Sequence, residues 1–271
     1  MFSTLYLLSH CTLKKIIFIL LSIISVTANA QISDTVNQYS TNIFAFPDAI
    51  PHSKSSIYSF IPPAAFITYG ALSFKVKGIR QVDYNVYNDL IKDHPNFNNH
   101  IENYLQYAPV VMVYGLNIAG VQGKNSFIDR TILLGMSEGI MGLTVFSLKH
   151  ATNRLRPDGS DRFSFPSGHT GNAFAAAEFM AQEYSEKSIW YGVAGYSFAT
   201  ATAILRVYNR DHWFSDVIAG AGFGIISTKA AYLIYPLFRN KLFHKNNSVR
   251  NSLIMPTYSN GVAGFAFVKQ L

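Results

Sequence analysis

The chain has 271 residues, 49% of them hydrophobic and 14% charged, and a formal net charge of +7. That length accommodates one sizeable domain with tails to spare. The composition is greasy for a soluble protein, yet the mean hydropathy of +0.15 is low for an integral membrane bundle, so a soluble helical enzyme and an embedded one both stay open. No arginine-rich tract or interleaved aromatic platform points to nucleic acid.

Lys14 and Lys15 precede an apolar run at 16–24, and Ala28-Asn29-Ala30 places small residues ahead of Gln31. Charge, apolar core and A-x-A in that order predict a secretory signal peptide over 1–30. An uncleaved anchor fits less well, because the run is short of a full membrane span. The single cysteine, Cys11, lies in this leader. The mature chain then carries no thiol, which fits an oxidising compartment. Residues 31–56 are polar and read as a poorly structured lead-in.

Six apolar stretches follow, at 57–74, 104–121, 131–148, 170–184, 189–207 and 213–238. All have helical length and none alternates as a strand does, which predicts an all-α six-helix bundle over 57–240. The polar segment 75–103 carries Val82, Val86, Leu90 and Ile91 at the spacing of a short amphipathic helix, ended by Pro95. In the tail, 241–271, two apolar runs around Asn260-Gly261 predict a short β-hairpin, with Pro256 keeping its first strand at an edge.

Cations gather around two histidines. Lys149, Arg154, Arg156, Arg162, Arg206 and Arg210 all lie in or beside three short stretches, which reads as a basic pocket for phosphate. Lys149 and Arg156 fall at the end of the third predicted helix, with Pro157 terminating it. Arg156 offers a planar fork for two oxygens and Lys149 a point charge. A basic helix C-terminus satisfying the dipole explains that stretch equally well on its own. Pro166-Ser167-Gly168-His169 opens the fourth helix: Gly168 admits a close backbone approach, the helix N-terminus favours an anion, and Ser167 donates a hydroxyl or caps the helix. His169 is placed to protonate a leaving oxygen. Arg206 closes the fifth helix. His212 and Asp216, four residues apart, are expected on one helix face, with the carboxylate fixing the imidazole tautomer. A metal pair is the rival reading of that spacing, disfavoured by the cationic surroundings.

Taken together, the stretches match position by position the signature K-x(6)-R-P, P-S-G-H, R-x(5)-H-x(3)-D. The chain thereby resembles the type 2 phosphatidic acid phosphatase and vanadium haloperoxidase superfamily. One position departs, since Leu205 stands where the family usually has Ser. The resemblance implies His212 as nucleophile, His169 as acid and then base, Asp216 orienting His212, and Lys149, Arg156, Ser167, Gly168 and Arg206 holding phosphate. It implies neither metal nor cofactor. His150, Arg154 and Arg210 lie outside the motif and are expected only at the substrate rim.

The stretch 103–131 and the surroundings of the motifs are similar to the bacterial branch that includes lipid A phosphatases. A phosphorylated lipid is the expected substrate, lipid A most of all. Undecaprenyl diphosphate, phosphatidylglycerophosphate and soluble monoesters are alternatives, with vanadate-dependent haloperoxidase chemistry or an inactive scaffold more remote. The expected location is the membrane, with the site facing the periplasm. If all six stretches crossed, the site would face inward, so 57–74, interrupted by Pro62-Pro63, is the stretch expected not to cross.

Overall fold

The computed structural model describes residues 56–242, with side chains to 239, and the backbone of 252–259 and 262–269. The expected signal peptide and nearly all of the lead-in lie outside the described residues. A 3₁₀ turn, Ile57–Phe60, capped by the Ser56 hydroxyl, leads into α1 (Ile61–Leu72). Pro62-Pro63 sits in its first turn, where a missing N–H costs no helical bond. The amphipathic segment forms α2 (Lys77–Asp93), bent by 87° from α1. Then come α3 (Glu102–Leu105), α4 (Ala108–Ile118), α5 (Phe127–Thr152), α6 (Gly168–Tyr184), α7 (Ile189–Tyr208) and α8 (Phe214–Leu242).

The described residues thus hold eight α-helices where six were expected. One addition is α2. The other arises because the stretch 104–121 is split into α3 and α4. Pro109 lies in the first turn of α4. In a continuous helix its ring would collide with the carbonyl four residues back, so the helix must restart there.

The central element is α6, which packs against α4, α5, α7 and α8. Ala173, Ala175, Ala176 and Ala177 are fully buried on it, and their small side chains let neighbouring backbones approach. The closest approach falls at Gly224 of α8, where a Cβ would stand 2.2 Å from the Gly171 carbonyl oxygen. An apolar cluster of Val113, Leu133, Phe179, Met180, Tyr184, Tyr232 and Tyr235 fills the bundle towards the start of α5 and the end of α6. Buried ion pairs tie those helix ends together: Arg130 to Glu183 at 2.8 Å, and Arg239 to Asp129 at 3.4 Å. Tyr232 and Tyr235 donate to the same two carboxylates.

Two helices, Phe127–Thr152 and Phe214–Arg239, are long and apolar enough to cross a membrane, or three if the bent α1–α2 pair counts as one span. Among the described residues, fewer than six of the apolar stretches therefore have the length and hydropathy of a span. With 12 residues, α1 reaches about 18 Å at 1.5 Å per residue, well short of a hydrocarbon core of about 30 Å. Likewise α6 has only 17 residues and carries Glu178 and Glu183. In the tail, β1 (Ser252–Ser259) and β2 (Val262–Lys269) pair antiparallel, Ser259 opposite Val262. The turn expected at Asn260-Gly261 lies outside the described residues. This ladder is no part of the helical domain, whose fold is all-α.

Candidate active site

Every motif falls at the same end of the bundle, because α5 and α7 finish there and α6 and α8 begin there. The first motif leaves its helix earlier than expected. Asn153 adopts the left-handed conformation at φ 48°, and its N–H returns to the Lys149 carbonyl at 3.1 Å. This C-cap, and not Pro157, ends α5. Lys149 therefore stands in the last helical turn and donates to the Phe163 carbonyl. Arg156 sits on the following loop, fixed through its Nε to Asp161 at 2.8 Å.

Ser167 is the N-cap of α6: its hydroxyl accepts from the Thr170 amide at 3.5 Å and meets the Thr170 hydroxyl at 2.9 Å. It is fully buried, so its observed contacts are those of a cap. Gly168 has room above it, with nothing nearer to a notional Cβ than Val145 Cγ1 at 3.7 Å. Arg206, in the last turn of α7, is gripped by Glu102 at 3.2 Å and Asp211 at 2.8 Å.

A cavity of about 370 Å³ brings together six of the expected residues: Lys149, Arg156, Gly168, His169, Arg206 and His212. Gln106, Tyr107 and Asn172 also line it and carried no signal in the sequence. Ser167 and Asp216 lie outside the lining. Neither His150 nor Arg210 reaches the cavity; the His150 ring donates instead to the Phe146 carbonyl at 2.8 Å.

His212 and Asp216 require a correction. Since α8 begins at Phe214, His212 precedes the helix and does not share a face with Asp216. Their closest atoms, Nδ1 and Oδ2, are 3.9 Å apart, too far for a hydrogen bond. Instead Nδ1 lies 2.7 Å from the Ser164 carbonyl oxygen. A carbonyl only accepts, so Nδ1 carries the hydrogen and Nε2 keeps its lone pair. Asp216 acts one step away. Its Oδ2 accepts from the Ser164 hydroxyl and, at 3.1 Å, from the Trp213 amide, a reach back across the helix start as in a capping box.

Arg154 also departs from expectation. It is no rim residue but is buried at 5% exposure, with NH1 donating to Asp216 Oδ1 at 2.5 Å and NH2 to Asp83 Oδ2 at 2.6 Å. The signal for Asp83 was present: it falls three and seven residues before Val86 and Leu90, a carboxylate on the inward stripe of an amphipathic helix.

Burial pushes both imidazoles down. His212 falls to about 4, foremost through desolvation and only partly opposed by Asp216. His169 also falls to about 4, through desolvation and then the positive charge of Arg206. Both are neutral at pH 7 in the free protein. Among the described residues, His100, Glu102 and Asp211 form the one group with donor atoms close enough for a metal ion. The Arg206 guanidinium already bridges its two carboxylates, so a fixed cation holds the place of an ion.

The family model described as the PAP2 superfamily matches residues 130–240. This part of the chain is similar to the PAP2 superfamily. The PAP2 region holds all three motifs, while Asp83, Glu102, Gln106 and Tyr107 lie ahead of it. The chain is 36% identical over 170 residues to the lipid A 1-phosphatase of Porphyromonas gingivalis, covering 59% of this chain and 38% of that one. It is 25% identical over 178 residues to a PA-phosphatase related-family protein of Dictyostelium discoideum, covering 56% and 64%. The chain thus spans less than two thirds of either curated relative. Among solved structures, the transmembrane PAP2-type phosphatidylglycerolphosphate phosphatase of Bacillus subtilis matches with a TM-score of 0.49 at 21% identity, over 69% of this chain and 98% of that one. LpxE of Aquifex aeolicus matches with a TM-score of 0.41 at 19% identity, over 53% and 92%.

Proposed function

We propose that the protein is a metal-independent phosphatase that hydrolyses a phosphorylated membrane lipid, a lipid A-type monoester above all, through a phosphohistidine. The observation that carries this reading is His212: its Nδ1 is locked on the Ser164 carbonyl, and the ring lines a cavity with three fixed cations and a second histidine. In the first step Nε2 attacks phosphorus and the ester P–O bond breaks, with His169 giving its proton to the leaving oxygen. In the second, His169 takes a proton from water as that water displaces the imidazole and releases inorganic phosphate. Lys149, Arg156 and Arg206 neutralise the charge on the equatorial oxygens throughout. Gly168 leaves the backbone open to the phosphate, and Ser167 holds the α6 N-terminal amides in register. Asp216 positions His212 through Ser164.

The His169 proton depends on the substrate. In the free protein burial and cations strip it, but a bound phosphate dianion restores it by opposite charge. The alkaline limb of kcat, which reports the complex, should therefore lie at higher pH than that of kcat/KM, which reports the free enzyme. Coincident limbs in the two profiles would count against His169 as the acid.

The reading of the substrate rests on the likeness to a lipid A 1-phosphatase and on the two apolar helices. We place residues 57–240 as the catalytic domain, with the site facing the periplasm: the charged-then-apolar leader and its A-x-A end export the N-terminus, and a crossing by the bent α1–α2 pair then lets α5 run back to that face. The deciding experiment separates membrane from soluble fractions and compares phosphate release from lipid A, undecaprenyl diphosphate and a water-soluble monoester, with and without EDTA. The expected result is membrane-bound activity, highest on lipid A and unchanged by the chelator. A soluble enzyme favouring the monoester would make it a secreted acid phosphatase. Activity lost in EDTA and restored by zinc would refute the metal-independent mechanism.

A further inference from the structure

Asp83 lies on α2, outside the motifs and outside the matched family region, yet it is only 1% exposed. A buried carboxylate is costly unless it is paired. Its partners lead directly to the reacting centre. Oδ2 accepts from Arg154 NH2 at 2.6 Å, and the same guanidinium donates through NH1 to Asp216 Oδ1 at 2.5 Å. Asp216 Oδ2 accepts from the Ser164 hydroxyl, and the Ser164 carbonyl accepts from His212 Nδ1 at 2.7 Å. Asp83 also takes the Ser215 amide at 2.8 Å and its hydroxyl at 2.7 Å, pinning the first turn of α8 where Asp216 stands. No member of the chain from Asp83 to His212 is more than 5% exposed.

We propose that Asp83 is a positioning residue for the reaction, acting through Arg154 and Asp216 on the orientation of His212. Arg154 is shared between two carboxylates. Remove the outer one, and Asp216 is the one carboxylate left to the guanidinium, beside the Ser73 and Ser215 hydroxyls, while the α8 terminus loses its anchor. Asp216 then redistributes its oxygens, the Ser164 hydroxyl loses its acceptor, and the carbonyl that holds Nδ1 moves. The phosphate clamps Lys149, Arg156 and Arg206 do not belong to this chain, so binding of the anion should survive. This inference rests on His212 being the nucleophile.

The test uses the full-length protein in its membrane or in detergent, with Asp83→Asn, Asp83→Glu and the double variant Asp83→Asn/Arg154→Gln. For Asp83→Asn we expect kcat to fall by about 10²-fold, the scale of a small misplacement of a reacting group. KM and the affinity for inorganic phosphate should stay within about threefold, and the melting curve should remain a single transition. Asp83→Glu should recover part of kcat, and the double variant should be no slower than Arg154→Gln alone, because both act along one path. Wild-type kcat in a folded Asp83→Asn protein overturns the proposal, as does equal loss of kcat and inorganic phosphate binding, which marks a purely structural part. Should Asp83→Asn fail to fold, Ser215→Ala removes one hydroxyl contact from both Asp83 and Arg154. A fall in kcat of about threefold or more with unchanged affinity for inorganic phosphate then supports the proposal, and an unchanged kcat overturns it.

A second readout keeps this outcome separate from that of the phosphatase reading. The ¹⁵N shifts of His212 should report a single tautomer protonated at Nδ1 in the wild-type protein and a mixture in Asp83→Asn, or in Ser215→Ala if that is the variant that folds. If the wild type releases no phosphate from any substrate, the functional reading fails while the tautomer comparison still decides whether Asp83 governs His212.

Discussion

His212→Ala removes the cavity-lining imidazole whose Nδ1 is held on the Ser164 carbonyl, and turnover is expected to fall by at least about 10³-fold. Binding should suffer far less. Lys149, Arg156 and Arg206 carry the charge that attracts phosphate, and none of them depends on the His212 ring for its place. Arg156 is set by Asp161, Arg206 by Glu102 and Asp211. Acid-labile, base-stable phosphate should be recovered on the wild-type chain after brief exposure to substrate and an alkaline quench, and a peptide containing residue 212 should carry it. Full activity in the alanine variant, or label recovered on His169, would reassign the nucleophile.

The second large effect is on folding. Gly224→Ala places a methyl group 2.2 Å from the Gly171 carbonyl oxygen and 2.8 Å from the Ala175 amide nitrogen. Both are backbone atoms of α6, which cannot rotate aside as a side chain would. The helices must separate, and overpacking of this kind costs about 3 kcal/mol or more. The first turn of α6 carries Gly168 and His169, so activity should fall together with stability. Thermal denaturation in detergent checks this, with Gly142→Ala as the comparison. Gly142 lies on α5 with nothing within 4 Å of a notional Cβ, so there alanine should be neutral or raise the midpoint slightly. Equal midpoints for the two variants would mean that the α6–α8 contact is looser than described.

Much of the site was legible from residue spacing because its parts are local. Lys149, Arg156, Gly168, His169, Arg206 and His212 sit at helix ends, and apolar periodicity marks helix ends well. When helices of similar length run back and forth, alternate ends meet, so the order of the motifs already implied one shared cavity. All-α character followed from the same periodicity.

What the linear chain could not supply was the wiring between segments. Four-residue spacing suggested that Asp216 bonds His212, but the start of α8 at Phe214 puts His212 outside the helix, and a backbone carbonyl takes the role instead. Arg154 looked like one more cation at the rim. Only packing of α2 against α8 brings Asp83 to it and turns it inward. Glu102, in a segment read as polar, is fully buried because Arg206 reaches it. The sequence by itself determined which residues carry the charge and the chemistry, since those follow from side-chain type and local helical geometry. Tertiary structure alone decided which of them face the cavity and which brace it. That choice depends on which carboxylate lies within about 3 Å of which guanidinium, and residues more than fifty positions apart acquire such distances only when the helices pack.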